Sequence, residues 1–402
     1  MGSIPRYRQQ TGPAVLSAGF RPFFLFAAIW AFFVVPASIA SLAGVAQLPS
    51  AFVPNVWHAH EMAFGYGGAV VAGFLLTAIP NWTGQLPLQG GPLAALVIFW
   101  LCGRLAVLFS SAIGVVPAAI LDLAFPAVFL AVVAREIAVG RNWRNLPMVG
   151  ALALLFIGNA LTHADVLGLV STVDIGNRLG VATLLMLVSL IGGRIVPSFT
   201  RNWLVKLDPN VATPAPFDLV DRTALAAAVV ALLAWAVGPE TPPTAWLALF
   251  AGGALAARLA RWRGEKTVAE PLLWVLHLGY GWLSFGLLLL GLNGLAPLLP
   301  PTSALHALTV GALGTMTLGV MTRASLGHTG RTLTAGRRTT AIYLMVTLAV
   351  LLRLFAPLFG AHYVIGLSLA AVAWCGAFGS FALFYFRPLT QPRLGAEGAP
   401  PI

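Results

Sequence analysis

Trp57-His58-Ala59-His60-Glu61-Met62 opens an apolar run that continues to Ala78-Ile79-Pro80. A run of that length crosses the ~30 Å of a bilayer's hydrocarbon as a helix. Ionisable side chains in such a segment are costly and by default face a bundle interior or a watery cavity. Two imidazoles, a carboxylate and a thioether at the mouth of one span therefore point to chemistry, and the rest of the chain decides what they meet.

Outward from that stretch the pattern repeats. The chain has 402 residues, 59% of them hydrophobic and only 9% charged, with mean hydropathy +0.88. Soluble domains carry about 25% charged residues. Twelve apolar spans are drawn at about 18–45, 56–80, 91–110, 115–137, 146–168, 174–199, 219–237, 244–262, 271–293, 302–326, 338–359 and 362–386. Punctuators such as Gly90-Gly91-Pro92, Pro242-Pro243 and Pro300-Pro301 separate them, since proline removes a backbone donor and glycine loosens the chain. The expected fold is an all-α polytopic transmembrane bundle of about 12 spans. Residues 1–402 form a single transmembrane domain, with helices 1–6 over about 18–199, a connection over about 200–218 and helices 7–12 over about 219–386.

The net charge of +11 is spread over alternate loops and does not gather into one patch, so it argues against nucleic acid as a partner. Among the 23 Lys and Arg residues, all but Arg104, Arg178 and Arg353 fall on the N-terminal arm, the even-numbered loops and the C-terminal tail. The positive-inside rule then places both termini in the cytoplasm. The first span lies behind Arg6 and Arg8 and is too long for a signal-peptide core. Cys102 and Cys375 fall inside spans, and no Cys-x-x-Cys-His occurs, so neither a disulfide framework nor covalent haem attachment is indicated.

With that topology the costly residues are one-sided. His58, His60, Glu61, Arg104, Asp122, His163, Asp165, Asp174, Arg178, His306, Arg353 and His362 reach the outer half, whereas His277 lies deeper, towards the cytoplasm. On a regular helix His58 shares a face with Glu61 and Met62, and His60 points nearly the opposite way. Either the turn at Pro54-Asn55 leaves residues 57–60 partly unwound, or the two imidazoles serve different sites. In the second case His58 with Met62 or Glu61 holds copper and His60 a haem iron, since imidazole suits both metals and thioether favours Cu(I). His306 and His328 lie about 33 Å apart on a continuous helix, so they cannot ligate one centre. His277 is a ligand candidate about 15 Å deeper than His306. His163 and His362 read more simply as packing residues, and Arg104 either pairs with Asp122 or neutralises haem propionates. Arg353, like Arg104 and Arg178, is an outer-half guanidinium in or beside a span.

Taken in order, Ala18-Gly19-Phe20-Arg21-Pro22, Trp57 to Met62, Gly73-Phe74-Leu75-Leu76-Thr77-Ala78-Ile79-Pro80-Asn81-Trp82-Thr83-Gly84, His277-Leu278-Gly279-Tyr280, His306 to Gly311 and Arg323 to Arg331 resemble the signature segments of the NnrS family. The resemblance covers essentially the whole chain. It implies a bacterial inner-membrane protein of about twelve helices that contains haem and copper and is associated with nitric oxide metabolism and resistance to nitrosative stress. It also implies metal ligation by some of His58, His60, His277, His306 and His328, without allotting metals to residues.

Two functions stand as expectations. In the first, a haem b and a copper bind or turn over nitric oxide or a metal-nitrosyl species in the outer half of the bundle, with the small uncharged ligand arriving through lipid and Glu61 relaying protons. An oxidoreductase is one form of this reading, although no electron-entry site names a redox partner. The second is a transporter of a metal, haem or a nitrosylated complex, built on two six-helix halves. A haem-based sensor is a third, but the chain carries no signalling domain.

Overall fold

A computed structural model describes residues 12–297 and 299–395; Arg6 and Arg8 lie outside them. The apolar spans fold as helices because only a helix satisfies its backbone internally in lipid. They are α1 (Phe20–Leu42), α2 (Pro54–Thr83), α3 (Gly90–Leu108), α4 (Val115–Val139), α5 (Trp143–Val166), α6 (Val173–Leu207), α7 (Leu219–Val237), α8 (Pro242–Ala260), α9 (Pro271–Leu295) and α10 (Pro301–His328). A last continuous stretch, Arg337–Thr390, brings the spanning stretches to 11 among the described residues. Within it Gly360, at φ 54° and ψ −120°, breaks the helix. The break yields α11 (Arg337–Phe355) and α12 (Tyr363–Thr390), the twelve passes expected. No strand occurs among the described residues.

The ends obey local rules. Pro54, Pro242, Pro271 and Pro301 occupy first-turn positions, where the missing N–H costs nothing. Asp218 caps α7 in a reciprocal capping box with Asp221. Asp165 accepts from the backbone N–H groups of Thr172 (2.6 Å) and Val173 (3.0 Å), tying the end of α5 to the start of α6. Helix α6 runs on to Leu207 and shortens the expected connection to residues 208–218, because Arg201 and Lys206 sit exposed on its final turns.

Three helices contain a π-helical stretch. Glu61–Gly67 of α2, Val188–Gly192 of α6 and Ala307–Gly314 of α10 are π-helical. A π-turn is rare, and frequent at functional sites. In α2 the Gly65 carbonyl accepts from Trp100 Nε1 (3.0 Å), and in α6 the Ser189 carbonyl accepts from Arg258 Nη1 (3.2 Å).

The chain forms two compact units that divide inside α6, at Gly180, and not at the connection after it. The first takes in α1–α5, the start of α6, Ala324–Arg331 and residues from 382 to 395. Here Arg21 Nη1 donates to the carbonyls of Pro388 (3.2 Å), Leu389 (3.1 Å) and Gln391 (2.7 Å), closing the end of α12. The second comprises Val181–Arg323 and Thr332–Phe381. It is held by a buried guanidinium: Arg258 pairs with Asp221 (2.7 Å), donates to Tyr280 Oη (2.9 Å) and lies over the Trp262 ring.

Candidate functional site

The polar centre of the first unit is assembled from four helices. Glu61 and His60 lie near the start of α2, Arg104 near the end of α3, Asp122 in the first turns of α4, and Asn159 with His163 in the last turns of α5. Antiparallel neighbours bring these ends to one level, so residues far apart in sequence meet. All are buried: His60, Glu61 and Asp122 are 0% exposed, Arg104 1%, Asn159 2% and His163 2%.

Arg104 is the hub. Its Nη1 donates to Glu61 Oε2 at 2.7 Å and its Nη2 to Asp122 Oδ1. Of the two sequence alternatives for Arg104, the fold places it in an ion pair. Glu61 Oε2 also accepts from Trp30 Nε1 (2.8 Å). Asp122 Oδ2 accepts from Asn159 Nδ2 (2.9 Å) and His163 Nε2 (2.9 Å). His60 bridges the two carboxylates: Nδ1 faces Glu61 Oε1 at 2.9 Å, and Nε2 lies 2.8 Å from Asn159 Oδ1 and 3.2 Å from Asp122 Oδ2. Asn159 uses its amide on Asp122, so its oxygen is the acceptor. Both ring nitrogens of His60 therefore donate, and the imidazole is held as a cation. Arg104 and His60 then balance Glu61 and Asp122. Such a balance is what a charged group in a bilayer requires, since each costs roughly 2.5–3.5 kcal/mol to insert at a helix centre by itself.

Backbone proximity makes room for this network. A Cβ at Gly65 would stand 2.8 Å from Arg104 Nη1, 2.9 Å from Glu61 Oε2 and 3.0 Å from Trp30 Nε1, and one at Gly103 would stand 2.8 Å from Asp122 Oδ1. Aromatic rings keep it dry. Phe52 lies 5.3 Å from the His60 ring and edge-on to His163, and Phe64 lies 5.2 Å from His60.

The structure corrects the helical-wheel reading of α2. Residues 54–60 are regular helix beginning at Pro54, so the turn there does not unwind residues 57–60. The π-turn begins at Glu61 and runs to Gly67, and Glu61 bonds its sequence neighbour His60, about 100° away on the wheel. Met62 packs against the apolar cluster of Val34, Phe52, Val56, Trp57, Val107 and Leu108.

The remaining candidates lie elsewhere. His58 Nδ1–H donates to Ser38 Oγ (3.0 Å), whose hydroxyl is used on the Val34 carbonyl (2.7 Å). In the second unit His306 Nδ1–H donates to the Thr302 carbonyl (2.6 Å). Both rings thus carry the lone pair on Nε2. His277 Nε2 bonds Thr200 Oγ1 (2.9 Å), and its Nδ1 is buried without a hydrogen-bond partner. That nitrogen is covered by Gly264, where a Cβ would come within 2.8 Å. His328 is half-buried in the first unit against the Phe20 ring (5.5 Å). Arg353 is half-buried on α11 with its Nη1 unpartnered. His362 is exposed.

Sequence reasoning passed over Asn159 and set His163 aside as packing. The available signal was depth: both stand at the end of α5 that faces the level of Asp122. Together His60 Nε2, Asp122 Oδ2 and His163 Nε2 offer three ligand atoms within 4.8 Å of one another, all buried. A tetrahedral ion about 2.1 Å from each donor needs donors about 3.4 Å apart, close to the 2.9 Å and 3.2 Å found from Asp122 to the two rings.

No curated protein matches the chain. The sequence model of one family, described as NnrS protein, matches residues 14–393. That match takes in every helix of both units and every residue of the buried cluster. The chain belongs to the NnrS family and is a multi-pass membrane protein of the nitric oxide response.

Proposed function

We propose that this protein is a haem- and copper-binding protein of the bacterial inner membrane that binds or turns over nitric oxide, with its reactive centre at the His60 cluster. The observation that carries the reading is the triad of His60, Asp122 and His163, buried in the first unit beside Glu61 and Arg104. Two imidazoles and a carboxylate form an N₂O donor set that suits copper, and also zinc or iron. Glu61 on His60 Nδ1 and Asn159 beside Nε2 fix the ring, the outer-shell support that ligating histidines generally have. A bound ion would take the place of the Nε2 protons of His60 and His163. Arg104 orients both carboxylates, and Glu61, hydrogen-bonded to His60, is the group placed to pass a proton. For haem, His58 in the first unit and His306 in the second are separate candidates, each with Nδ1–H donated so that Nε2 would be the ligating nitrogen. When bound, such metals supply an electron-rich centre for a small neutral ligand.

The test is metal analysis and a reduced-minus-oxidised optical spectrum of the purified protein, before and after nitric oxide. Copper near one per chain, falling at least tenfold in His163→Ala, with a b-type spectrum that responds to nitric oxide, is the expected result. A colourless, metal-free protein from haem- and copper-replete cells would overturn the reading in favour of a transporter.

A further inference from the structure

The cluster of the first unit is closed. None of His60, Glu61, Arg104, Asp122, Asn159 and His163 is more than 2% exposed, so nothing dissolved in water reaches the triad of His60, Asp122 and His163 unless some element moves. An ion does not come through hydrocarbon, where an unpaired charge is costly, and has to enter from an aqueous side. The nearest such side is at the outer helix ends, because His163 stands in the last turn of α5 and His60 in the first two turns of α2. Across that end runs the link between α1 and α2, residues 43–53. Phe52 is its one buried residue. The Phe52 ring lies 5.3 Å from that of His60 and 5.5 Å, edge-on, from that of His163, so the link touches both imidazoles through a single side chain.

The fastening of that link is local. Ser50 Oγ donates to the Val107 carbonyl (2.8 Å) and lies 3.3 Å from Ser110 Oγ, and the Ala51 N–H donates to Ser110 Oγ (2.8 Å). The Ser111 N–H adds a longer bond to the Pro49 carbonyl (3.4 Å). These bonds all fall on one stretch, Val107 to Ser111, at the end of α3. Leu48 is half-buried against the apolar cluster that includes Phe52. At the other end of the link Gly44 has φ 69°, and a Cβ there would meet nothing within 4 Å, which suits a pivot. A segment with few buried apolar contacts and few tertiary hydrogen bonds opens at low cost. We propose that residues 44–53 are a door on the outer aqueous side of the triad, with Phe52 as its plug and the Ser50–Ser110 pair as its latch, and that polar solutes reach the triad only when it opens. That the solute is a metal ion rests on the proposed function; the door rests on burial and on these bonds.

A reversible lock tests this in the full-length protein in lipid nanodiscs. With Cys102 and Cys375 replaced by Ala, Ser50→Cys/Ser110→Cys sets two thiols where the hydroxyls lie 3.3 Å apart, and a disulfide between them fastens the latch until it is reduced. In metal-free protein the readout is acylation of His163 by diethyl pyrocarbonate, followed by peptide mass spectrometry, with the exposed His362 as reference. Acylation of His163 is expected to be about tenfold slower in the oxidised than in the reduced form of the locked variant, and about tenfold faster than wild type in Phe52→Ala, with His362 unchanged throughout. In protein loaded with Cu²⁺, transfer of the ion to excess EDTA should follow the same order. Equal acylation rates in the oxidised and reduced forms would overturn the proposal, and so would a Phe52→Ala rate no faster than wild type. The locked variant keeps Phe52, so a folding defect in Phe52→Ala leaves the first comparison decisive. A chain that takes up no Cu²⁺ yet shows the ordered acylation would refute the proposed function and leave the door standing.

Discussion

Replacing Arg104 by Met removes one of the two cations shared by Glu61 and Asp122 while keeping most of the side-chain volume. The guanidinium is 1% exposed and its carboxylate partners 0%. Two buried carboxylates then face a single cation, His60, and the cluster carries one uncompensated negative charge. Removing one partner of a buried pair costs about 3–5 kcal/mol, and Arg104→Met is expected to lose that much. Asp122→Asn alone should be similarly harmful, because Arg104 and His60 then face only Glu61. Combined, the two changes leave His60 and Glu61, which balance. The double variant should therefore be more stable than the sum of the singles by about 2 kcal/mol, within the range for directly contacting residues. Equilibrium unfolding of the metal-free protein in bicelles by steric trapping measures all four corners of the cycle. Additivity within about 0.5 kcal/mol would refute the charge balance drawn here, and with it the cationic state of His60.

Three further outcomes are expected. Gly65→Ala places a methyl within 3.0 Å of three polar atoms of the cluster and should cost about 1–3 kcal/mol by overpacking, read in the same unfolding assay; an unchanged stability would mean that the π-turn yields. In the second unit Arg258→Met takes from Asp221 the closer of its two guanidinium partners, leaving Arg261 at 3.4 Å, and leaves the Ser189 carbonyl without this donor; it should destabilise by about 1–3 kcal/mol, with partial recovery on adding Asp221→Asn, and no recovery would show that the carbonyl contact dominates. Outside the spans, the hydrogen bond from Arg261 holds the Asp218 carboxyl below its ordinary value, so its contribution to the α7 cap is full above about pH 4 and is lost as pH falls through that lowered value. Arg261→Gln should move the loss of hydrogen-exchange protection at residues 218–222 to higher pH, and an unmoved profile would remove Arg261 as the cause.

The lipid-spanning architecture is legible in the chain because each apolar run must satisfy its own backbone, and run length against bilayer thickness leaves only a helix. The punctuating prolines and the alternation of Arg and Lys between loops hold independently of tertiary contacts, and so do the capping residues. Glu61, His60 and Arg104 also stand out by sequence, as charges that lipid does not tolerate without partners. Who those partners are is a different matter. A wheel sets His60 and Glu61 about 100° apart, and only the fold shows that Arg104 from α3 and Asp122 from α4 close round both of them. Asn159 and His163 are ordinary polar residues near a helix end until α5 packs beside α4 and sets them at the level of Asp122. Composition, length and charge placement determined the helices and their passage through lipid, since these depend on local hydrogen bonding and transfer free energy. The packing of α2 to α5 decided the site, since helix rotation and depth arise from glycine-permitted approach and ion pairing between segments distant in sequence.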